Sequence, residues 1–441
     1  MSTKNELPTV ARPPSTWRQW ISSIGPGFFV AMAWLGTGDL IDNSVAGANY
    51  GYALLWALVV ALVAKFFFVN ALSKYQLGNV HGDDSPMQGF ARAWRPLSLL
   101  VAISIGVLIF VYESYFIVGA GTAIHHLTGQ AVGGEYGIFL WSVVAVAASI
   151  GILFSGREYR IMEVFARVTV ALLVLTFVIS AVIHGPDLVE VGKGLLYELP
   201  ANKGAFGSII LAVAIMGAVG VTPATVIYCY AIRERGWRGP EFRKLAVVDA
   251  LLAVAAIAVI DISIWVTAAQ TMYGSGDLID GTDGLVLMME RAMGPAGPVL
   301  MWLAVFFVTF SSMASTAYIY SKVVADGIRY SRRNQSAGSG ESTRFVHRLA
   351  IVGLVLPLVF SLPQAPDFVI LTVLGSAISV ACVPLVVAGI FYVTSSRRHM
   401  RPESVNKPWE IVALLVISAL AVVAVYGLGR GLVESLAGIA G

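Results

Sequence analysis

Apolar runs of roughly 20 residues recur along the whole chain, and each is long enough to cross the hydrocarbon core of a bilayer as a helix. Of the 441 residues, 57% are hydrophobic and only 12% are charged, whereas a soluble domain carries about a quarter charged residues. The sequence therefore predicts an all-α polytopic membrane protein. Its predicted spans, numbered 1 to 11 in chain order, are 27–48, 52–76, 97–124, 136–155, 160–184, 205–232, 245–271, 295–325, 345–362, 367–393 and 408–429.

Lysine and arginine are concentrated in every second loop. The basic loops include 233–244, 329–344 and 395–407, whereas the intervening loop 277–290 is acidic. Because cytoplasmic loops carry the excess of basic residues, we expect a plasma (inner) membrane protein with a cytoplasmic N-terminus and an extracellular C-terminus. The polar segment 1–24 lacks the apolar core and cleavage site of a signal peptide, so we interpret it as a cytoplasmic tail.

Two of the spans contain residues that break a helix. Span 1 is interrupted at LGTGD, residues 35–39, and span 6 at GAVGVTP, residues 217–223. These spans come first in each half if spans 1–5 and 6–10 form two repeats of opposite orientation. A matched pair of interrupted helices is the best sequence pointer to the binding site of an inverted-repeat transporter, although two ordinary kinks would also be tolerated. We therefore predict a 5+5 inverted repeat with discontinuous spans 1 and 6, plus an eleventh helix.

This organisation divides the chain into three parts. The cytoplasmic tail covers 1–24, and the ten-helix transport core covers 25–393. Within the core, the first repeat covers 25–184 and the second covers 205–393. The remainder, 394–441, holds a cytoplasmic loop, the eleventh helix and the extracellular C-terminus.

Two carboxylates, Asp39 and Asp42, lie in or just after the break of span 1. A charged side chain inside a membrane costs about 2.5 kcal/mol or more and usually marks an ion or substrate path. Both residues could instead cap the second half-helix of span 1, and that alternative stays open. The freed carbonyl groups of Gly36 and Thr37 would add oxygen ligands.

Span 6 offers a second set of oxygen donors. The carbonyl groups near Val219 and Gly220 would be free, and Thr222 and Thr225 add hydroxyl groups. Thr222 followed by Pro223 is typical of an N-cap and the first residue of a new half-helix. Carboxylate, carbonyl and hydroxyl oxygens are hard donors that suit Mg, Ca or Mn.

Three further ionisable residues fall within the spans. Glu113 in span 3 and Asp261 in span 7 have structural and functional interpretations of equal weight. Lys65 in span 2 is expected to snorkel or to pair with an acid, with a role in gating as the alternative.

The stretch GPGFFVAMAWLGTGDLIDNSVAGANYGYALLW, residues 25–56, resembles the first span of the Nramp family. Span 6 and FSSMASTAYIYSKVVADGI, residues 310–328, are similar to the sixth and eighth spans of that family. The resemblance implies a LeuT-type inverted repeat that transports divalent transition metals, usually with protons. It also implies alternating access, in which spans 1, 2, 6 and 7 rock against spans 3, 4, 5 and 8.

Several positions depart from the family pattern. The metal-binding Asp-Pro-Gly-Asn motif reads GTGD at residues 36–39, so one acid is lost and the asparagine is replaced by an acid. The Met-Pro-His motif reads TPA at residues 222–224, which removes a soft sulfur ligand and a histidine linked to proton movement. The glutamine ligand of the tenth span aligns with Ser376. These changes imply a harder, roomier site that is less dependent on protons.

The chain thus looks like the Nramp-related magnesium transporter branch, which implies import of Mg²⁺, partly hydrated, by alternating access without proton coupling. The alternatives are an Nramp-type Mn²⁺ or Fe²⁺ transporter and a LeuT-type carrier of a small organic solute. We expect a monomer in the lipid bilayer that has no enzymatic activity, no cofactor and no nucleic-acid partner. The predicted metal site comprises Asp39, Gly36, Thr37, Val219, Gly220, Thr222, Thr225, Asp42 and Ser376.

Overall fold

The computed structural model describes residues 35–155, 158–332 and 339–440, together with Thr16, Arg18 and Gln19. The first half of span 1 and nearly all of the tail expected over 1–24 therefore lie outside the described residues.

Helices make up the framework of the described part of the chain, which contains isolated β-bridges but no β-strand. Nine of the described helices are long and apolar enough to cross a bilayer. Together with the two interrupted spans they correspond to the eleven predicted spans, so the prediction of an all-α polytopic membrane protein is confirmed. The nine are Leu55–Gly78, Arg95–Leu127, Gly134–Leu153, Ile161–His184, Pro240–Met272, Thr282–Ser331, Thr343–Ser361, Phe368–Ser395 and Pro408–Arg430.

Spans 1 and 6 are built from shorter pieces. The described part of span 1 is the helix Thr37–Tyr50, preceded by two non-helical residues. Span 6 contains the helix Ser208–Ala218, a non-helical stretch, the 3₁₀ turn Pro223–Val226 and the helix Ile227–Glu234. Both interruptions fall where glycine and proline weaken helical hydrogen bonding, as the sequence predicted.

The spans pack in two groups. Span 3 runs along span 8, which also contacts span 5, and span 3 contacts span 4. Span 1 packs mainly against span 7, while span 2 contacts spans 6 and 7. Span 5 also packs against span 7, so the division into spans 1, 2, 6 and 7 and spans 3, 4, 5 and 8 that the family resemblance implied stays a prediction.

Glycines allow the two interrupted spans to approach span 10 closely. A methyl group at Gly217 would lie 1.9 Å from the backbone oxygen of Ser376, and one at Gly38 would lie 2.7 Å from the Ala218 Cβ. Small residues at helix contacts permit this kind of close packing in membranes. Both breaks are therefore held against one another and against span 10.

Ion pairs and tyrosine hydrogen bonds join the helices at the end of the molecule that carries the basic loops, which we call the basic face. Arg92 Nε donates to Asp83 Oδ1 at 2.8 Å, and the Tyr75 hydroxyl donates to Asp83 Oδ2 at 2.6 Å. The Tyr230 hydroxyl donates to Asp326 Oδ2 at 2.8 Å and so links span 6 to span 8. The buried carboxylate of Asp83 thus has a partner on each oxygen.

Candidate cation site

The helix of span 1 begins inside the predicted break, and Asp39 occupies its first turn. The backbone N–H of Gly36, the N-cap residue, donates to Asp39 Oδ2 at 2.8 Å. The other oxygen, Oδ1, is buried and has no hydrogen-bond partner among the described residues. One carboxylate oxygen therefore stabilises the start of the helix, while the other has no partner among the described residues. The two interpretations of Asp39 from the sequence are compatible because they use different atoms.

Thr37 enters the site differently from the way the sequence predicted. It is the first residue of the helix, so its carbonyl group takes part in helical hydrogen bonding and is not freed by the break. Its hydroxyl is buried and has no hydrogen-bond partner among the described residues. At this position the side chain, and not the backbone, carries the oxygen without a partner among the described residues.

Two threonines form hydrogen bonds with each other at the break in span 6. The backbone N–H of Thr222 donates to Thr225 Oγ1 at 3.2 Å, and the N–H of Thr225 donates to the Thr222 carbonyl at 3.0 Å. The two hydroxyl oxygens lie 3.3 Å apart. A helical element does begin at Pro223 as predicted, but it is a 3₁₀ turn, and the α-helix follows only at Ile227.

A cavity lies between the two breaks, and its empty space, counted together with the solvent at its open side, is about 540 Å³. It brings together five of the nine predicted site residues, and spans 2, 3 and 8 complete its wall. The lining residues are Gly36, Thr37, Gly38, Asp39, Lys65, Tyr112, Tyr115, Phe116, Ala218, Thr222, Thr225, Ser312, Thr316 and Tyr320.

Val219 and Gly220 do not line this cavity, which corrects the prediction that their backbone completes the ligand shell. Their N–H groups donate to the carbonyls of Ile215 and Met216 at 2.9 and 3.1 Å, so the two residues finish the last turn of the helix Ser208–Ala218, and the break follows them. Ala218 lines the cavity instead. Gly220 faces a separate apolar pocket between spans 2, 6, 10 and 11.

Asp42 and Ser376 also lie outside the cavity wall, on the side of span 1 that faces span 10. Both are buried, and they lie next to each other. Their oxygens surround Gly38: a methyl group there would be 2.8 Å from Ser376 Oγ and 3.4 Å from Asp42 Oδ2. The two residues form a polar pair behind the break and do not line the cavity with Asp39.

Three buried ionisable residues lie at or near the cavity. Lys65, Asp39 and Asp261 are at most 3% exposed. Lys65 and Asp39 line the cavity, and Asp261 lies on span 7 within electrostatic range of Lys65. Neither oxygen of Asp261 has a hydrogen-bond partner among the described residues. Of the two interpretations of Lys65, pairing with an acid fits its deep burial. Glu113 is buried beside Ala317 of span 8 and does not line the cavity.

Sequence reasoning missed the wall that spans 3 and 8 contribute. Ser312, Thr316 and Tyr320 follow one another at intervals of four residues, which places them on one face of span 8. Tyr112 and Tyr115 on span 3 face the same cavity. A polar stripe at helical spacing inside an apolar span was the signal that could have identified the residues of span 8.

The chemistry of the cavity is that of oxygen donors. Its described lining has carboxylate and hydroxyl groups but no methionine, cysteine or histidine, and no group of three or more His, Cys, Asp or Glu side chains that could hold a metal is found among the described residues. With one carboxylate, such a cavity is suited to a hard cation that keeps part of its water shell.

Comparison with known proteins identifies the family. The model of the family described as "Natural resistance-associated macrophage protein-like" matches residues 27–430. The chain belongs to the Nramp family. The "Divalent metal cation transporter MntH" of Bacillus subtilis (strain 168) is 24% identical over 416 residues, covering 92% of this chain and 91% of that protein. The protein of the same name from Deinococcus radiodurans is 28% identical over 314 residues, 68% of each chain.

Solved structures agree on the fold of this Nramp protein. A manganese transporter of Eremococcus coleocola, in complex with an aromatic bis-isothiourea substituted compound, matches with a TM-score of 0.75 at 17% identity, covering 99% of this chain and 96% of that one. MhsT in complex with L-phenylalanine matches with a TM-score of 0.57 at 15% identity, over 92% and 98% of the two chains. The LeuT-type fold is therefore confirmed, and membership of a transporter family confirms that the chain is not an enzyme.

Proposed function

We propose that this Nramp protein imports a hard divalent cation, with Mg²⁺ as the principal cargo, by alternating access at the cavity between spans 1 and 6. The observation that carries the proposal is that Asp39 lines a cavity with hydroxyl-bearing residues and keeps a buried oxygen without a hydrogen-bond partner among the described residues. The relatives are named divalent metal cation transporters, which supports a divalent cation as the transported ion.

Asp39 is the principal charged ligand, and it binds the cation directly or through water. The hydroxyl groups of Thr37, Thr222 and Thr225 complete the shell together with water molecules. Mg²⁺ gives up its water reluctantly and is usually held with several waters attached, and a cavity larger than a bare ion accommodates such a hydrated cargo. Asp42 and Ser376 lie outside the cavity wall, on the side of span 1 that faces span 10, and from there Asp42 adds to the negative potential in the cavity.

Transport is driven by the electrochemical gradient and not by protons. An inside-negative membrane potential draws a cation inward with about 2.3 kcal/mol per charge per 100 mV, and a divalent ion gains twice that. The described cavity wall has no histidine to relay a proton.

Transport of Mn²⁺ is the second candidate, because the matched relatives carry the name MntH and a matched structure is a manganese transporter. Oxygen ligands also suit manganese. The two candidates differ in which ion is preferred, since a site without sulfur has lost the ligand that favours transition metals over Mg²⁺.

Flux into proteoliposomes tests the proposal. Purified protein is reconstituted with a trapped Mg²⁺-sensitive dye and, in parallel, with a pH-sensitive dye, and a negative internal potential is imposed. We expect Mg²⁺ uptake without internal acidification, and only weak inhibition by equimolar Mn²⁺. Uptake of Mn²⁺ that excess Mg²⁺ does not reduce would favour the second candidate. Failure of folded protein to transport either ion would rule out both.

A further inference from the structure

The wall of the proposed cation cavity already contains a cation. Lys65 of span 2 is 2% exposed and lines the cavity with Asp39, Thr222 and Thr225. An ammonium group in the wall of a cation cavity repels a divalent ion, and the repulsion is strong where water is excluded. Neither the oxygen donors nor the family motif requires a lysine here, so its position calls for a function of its own.

Asp39 and Asp261 have oxygens that could accept hydrogen bonds from the ammonium group of Lys65. Asp39 keeps one open oxygen, and Asp261 keeps two, among the described residues. Lys65 and Asp39 line the same cavity, and Asp261 lies on span 7, which packs against span 2, within electrostatic range of Lys65. A lysine carries three donors on a flexible four-carbon stem, so the same ammonium is able to serve either carboxylate as the cavity fills or empties.

Charge balance explains why such a lysine is useful to a carrier. When the transported cation leaves, an ionised Asp39 would remain in a low-dielectric cavity without a counter-charge, which is costly. An ammonium that replaces the departed ion neutralises Asp39. When the next cation binds, Asp261 is the acid that receives the ammonium.

We propose that Lys65 is a tethered counter-ion that competes with the transported cation for Asp39, with Asp261 as its alternative partner. The proposal rests on the assignment of Asp39 as the cation ligand. It has two consequences. The lysine weakens binding of the transported ion, and it allows the empty carrier to return across the membrane, which net uptake requires but exchange of ion for ion does not.

The test compares net uptake with exchange in proteoliposomes for Lys65→Met, with Mn²⁺ binding measured by titration calorimetry. We expect the variant to bind Mn²⁺ at least about tenfold more tightly, which corresponds to 1.4 kcal/mol. Net Mg²⁺ uptake falls by about the same factor, because the empty carrier no longer returns, while exchange of internal for external Mg²⁺ persists. A purely structural role for Lys65 would reduce uptake and exchange together.

Asp261→Asn provides a test of opposite sign. Without Asp261 the ammonium stays on Asp39, so we expect Mn²⁺ to bind more weakly than in the wild type, and the double variant with Lys65→Met to bind as tightly as Lys65→Met alone. If Lys65→Met does not fold, Asp261→Asn and Lys65→Arg still test the proposal. Lys65→Arg retains the positive charge, so we expect it to retain net uptake. Lys322→Met, at the basic face beside Glu234, is the matched control and leaves binding and uptake unchanged.

The outcomes separate this inference from the proposed function. Unchanged affinity and an unchanged ratio of uptake to exchange in Lys65→Met and Asp261→Asn, with a wild type that transports Mg²⁺, would overturn the counter-ion role alone. A wild type that neither binds nor transports either ion would overturn the proposed function, and tight Mn²⁺ binding by Lys65→Met would then show that Lys65 occupies Asp39 in place of a cation.

Discussion

The buried acids of this protein fall into two regions that treat a carboxylate in opposite ways. At the basic face, Asp83 receives hydrogen bonds from Arg92 and Tyr75 on its two oxygens. At the centre of the spans, Asp39 keeps one oxygen open, and Asp261 keeps both open among the described residues. An unsatisfied buried polar group costs about 1 to 3 kcal/mol. The first region satisfies its carboxylate with hydrogen bonds that stabilise the fold, while the second leaves buried oxygens unsatisfied, as the proposed cation site requires.

We expect the greatest loss of Mg²⁺ uptake from a substitution of Asp39 at the centre of the spans. Asp39→Asn keeps the shape of the side chain and its acceptor for the Gly36 N–H but removes the charge. Because a charged ligand is lost, we expect uptake of Mg²⁺ to fall by at least about a hundredfold, or about 3 kcal/mol. Proteoliposome flux measures the effect, and a melting temperature close to that of the wild type shows that the fold is retained. Substantial uptake by this variant would contradict the comparison.

The same substitution at the basic face is expected to give the reverse pattern. Asp83→Asn removes the charge that Arg92 contacts, and Arg92 is partly exposed, so solvent screens part of the interaction. We expect the free energy of unfolding to fall by about 1 to 2 kcal/mol, while uptake per folded molecule stays near that of the wild type. Thermal melting in detergent and flux normalised to folded protein measure the two quantities. Lost transport with unchanged stability would mean that the basic face belongs to the transport site.

A smaller effect is expected from a pair of threonines on span 8. Thr316 lines the cavity, whereas Thr309 is buried two turns away and donates its hydroxyl to the Val305 carbonyl of its own helix. We expect Thr316→Val to raise the apparent KM for Mg²⁺ by about three- to tenfold, about 1 kcal/mol, because one oxygen of the wall is lost.

Thr309→Val is the matched control for that variant, since it replaces the same side chain on the same helix. We expect it to leave the apparent KM unchanged. Equal shifts of KM in the two variants would show that span 8 acts through its packing and not through the polar stripe of the cavity wall.

Much of the fold could be predicted from the sequence because the membrane imposes simple rules. Apolar runs of fixed length define the spans, and the breaks at LGTGD and GAVGVTP follow from glycine and proline. Asp39, Thr222 and Thr225, which line the cavity, were predicted from the sequence because polar groups inside a membrane are costly.

The rest depends on geometry that a single sequence does not contain. Helix ends shift by one or two residues, and such shifts moved Thr37 into a helix and turned Val219 and Gly220 away from the cavity. The approach of Lys65 to Asp261 joins spans 2 and 7, which are far apart in the chain. Tyr112 and Tyr115 look like ordinary packing residues until span 3 is placed beside span 1.

A crystal structure of the full chain with Mn²⁺, located by its anomalous scattering and repeated with excess Mg²⁺, shows where the cation binds. We expect an anomalous peak in the cavity, within direct or single-water reach of Asp39 Oδ1 and near the hydroxyl groups of Thr222 and Thr225, which weakens when Mg²⁺ is added. A peak elsewhere in the protein, or none in the cavity of a folded, Mn²⁺-saturated crystal, would contradict the assignment of the span 1 break as the cation site.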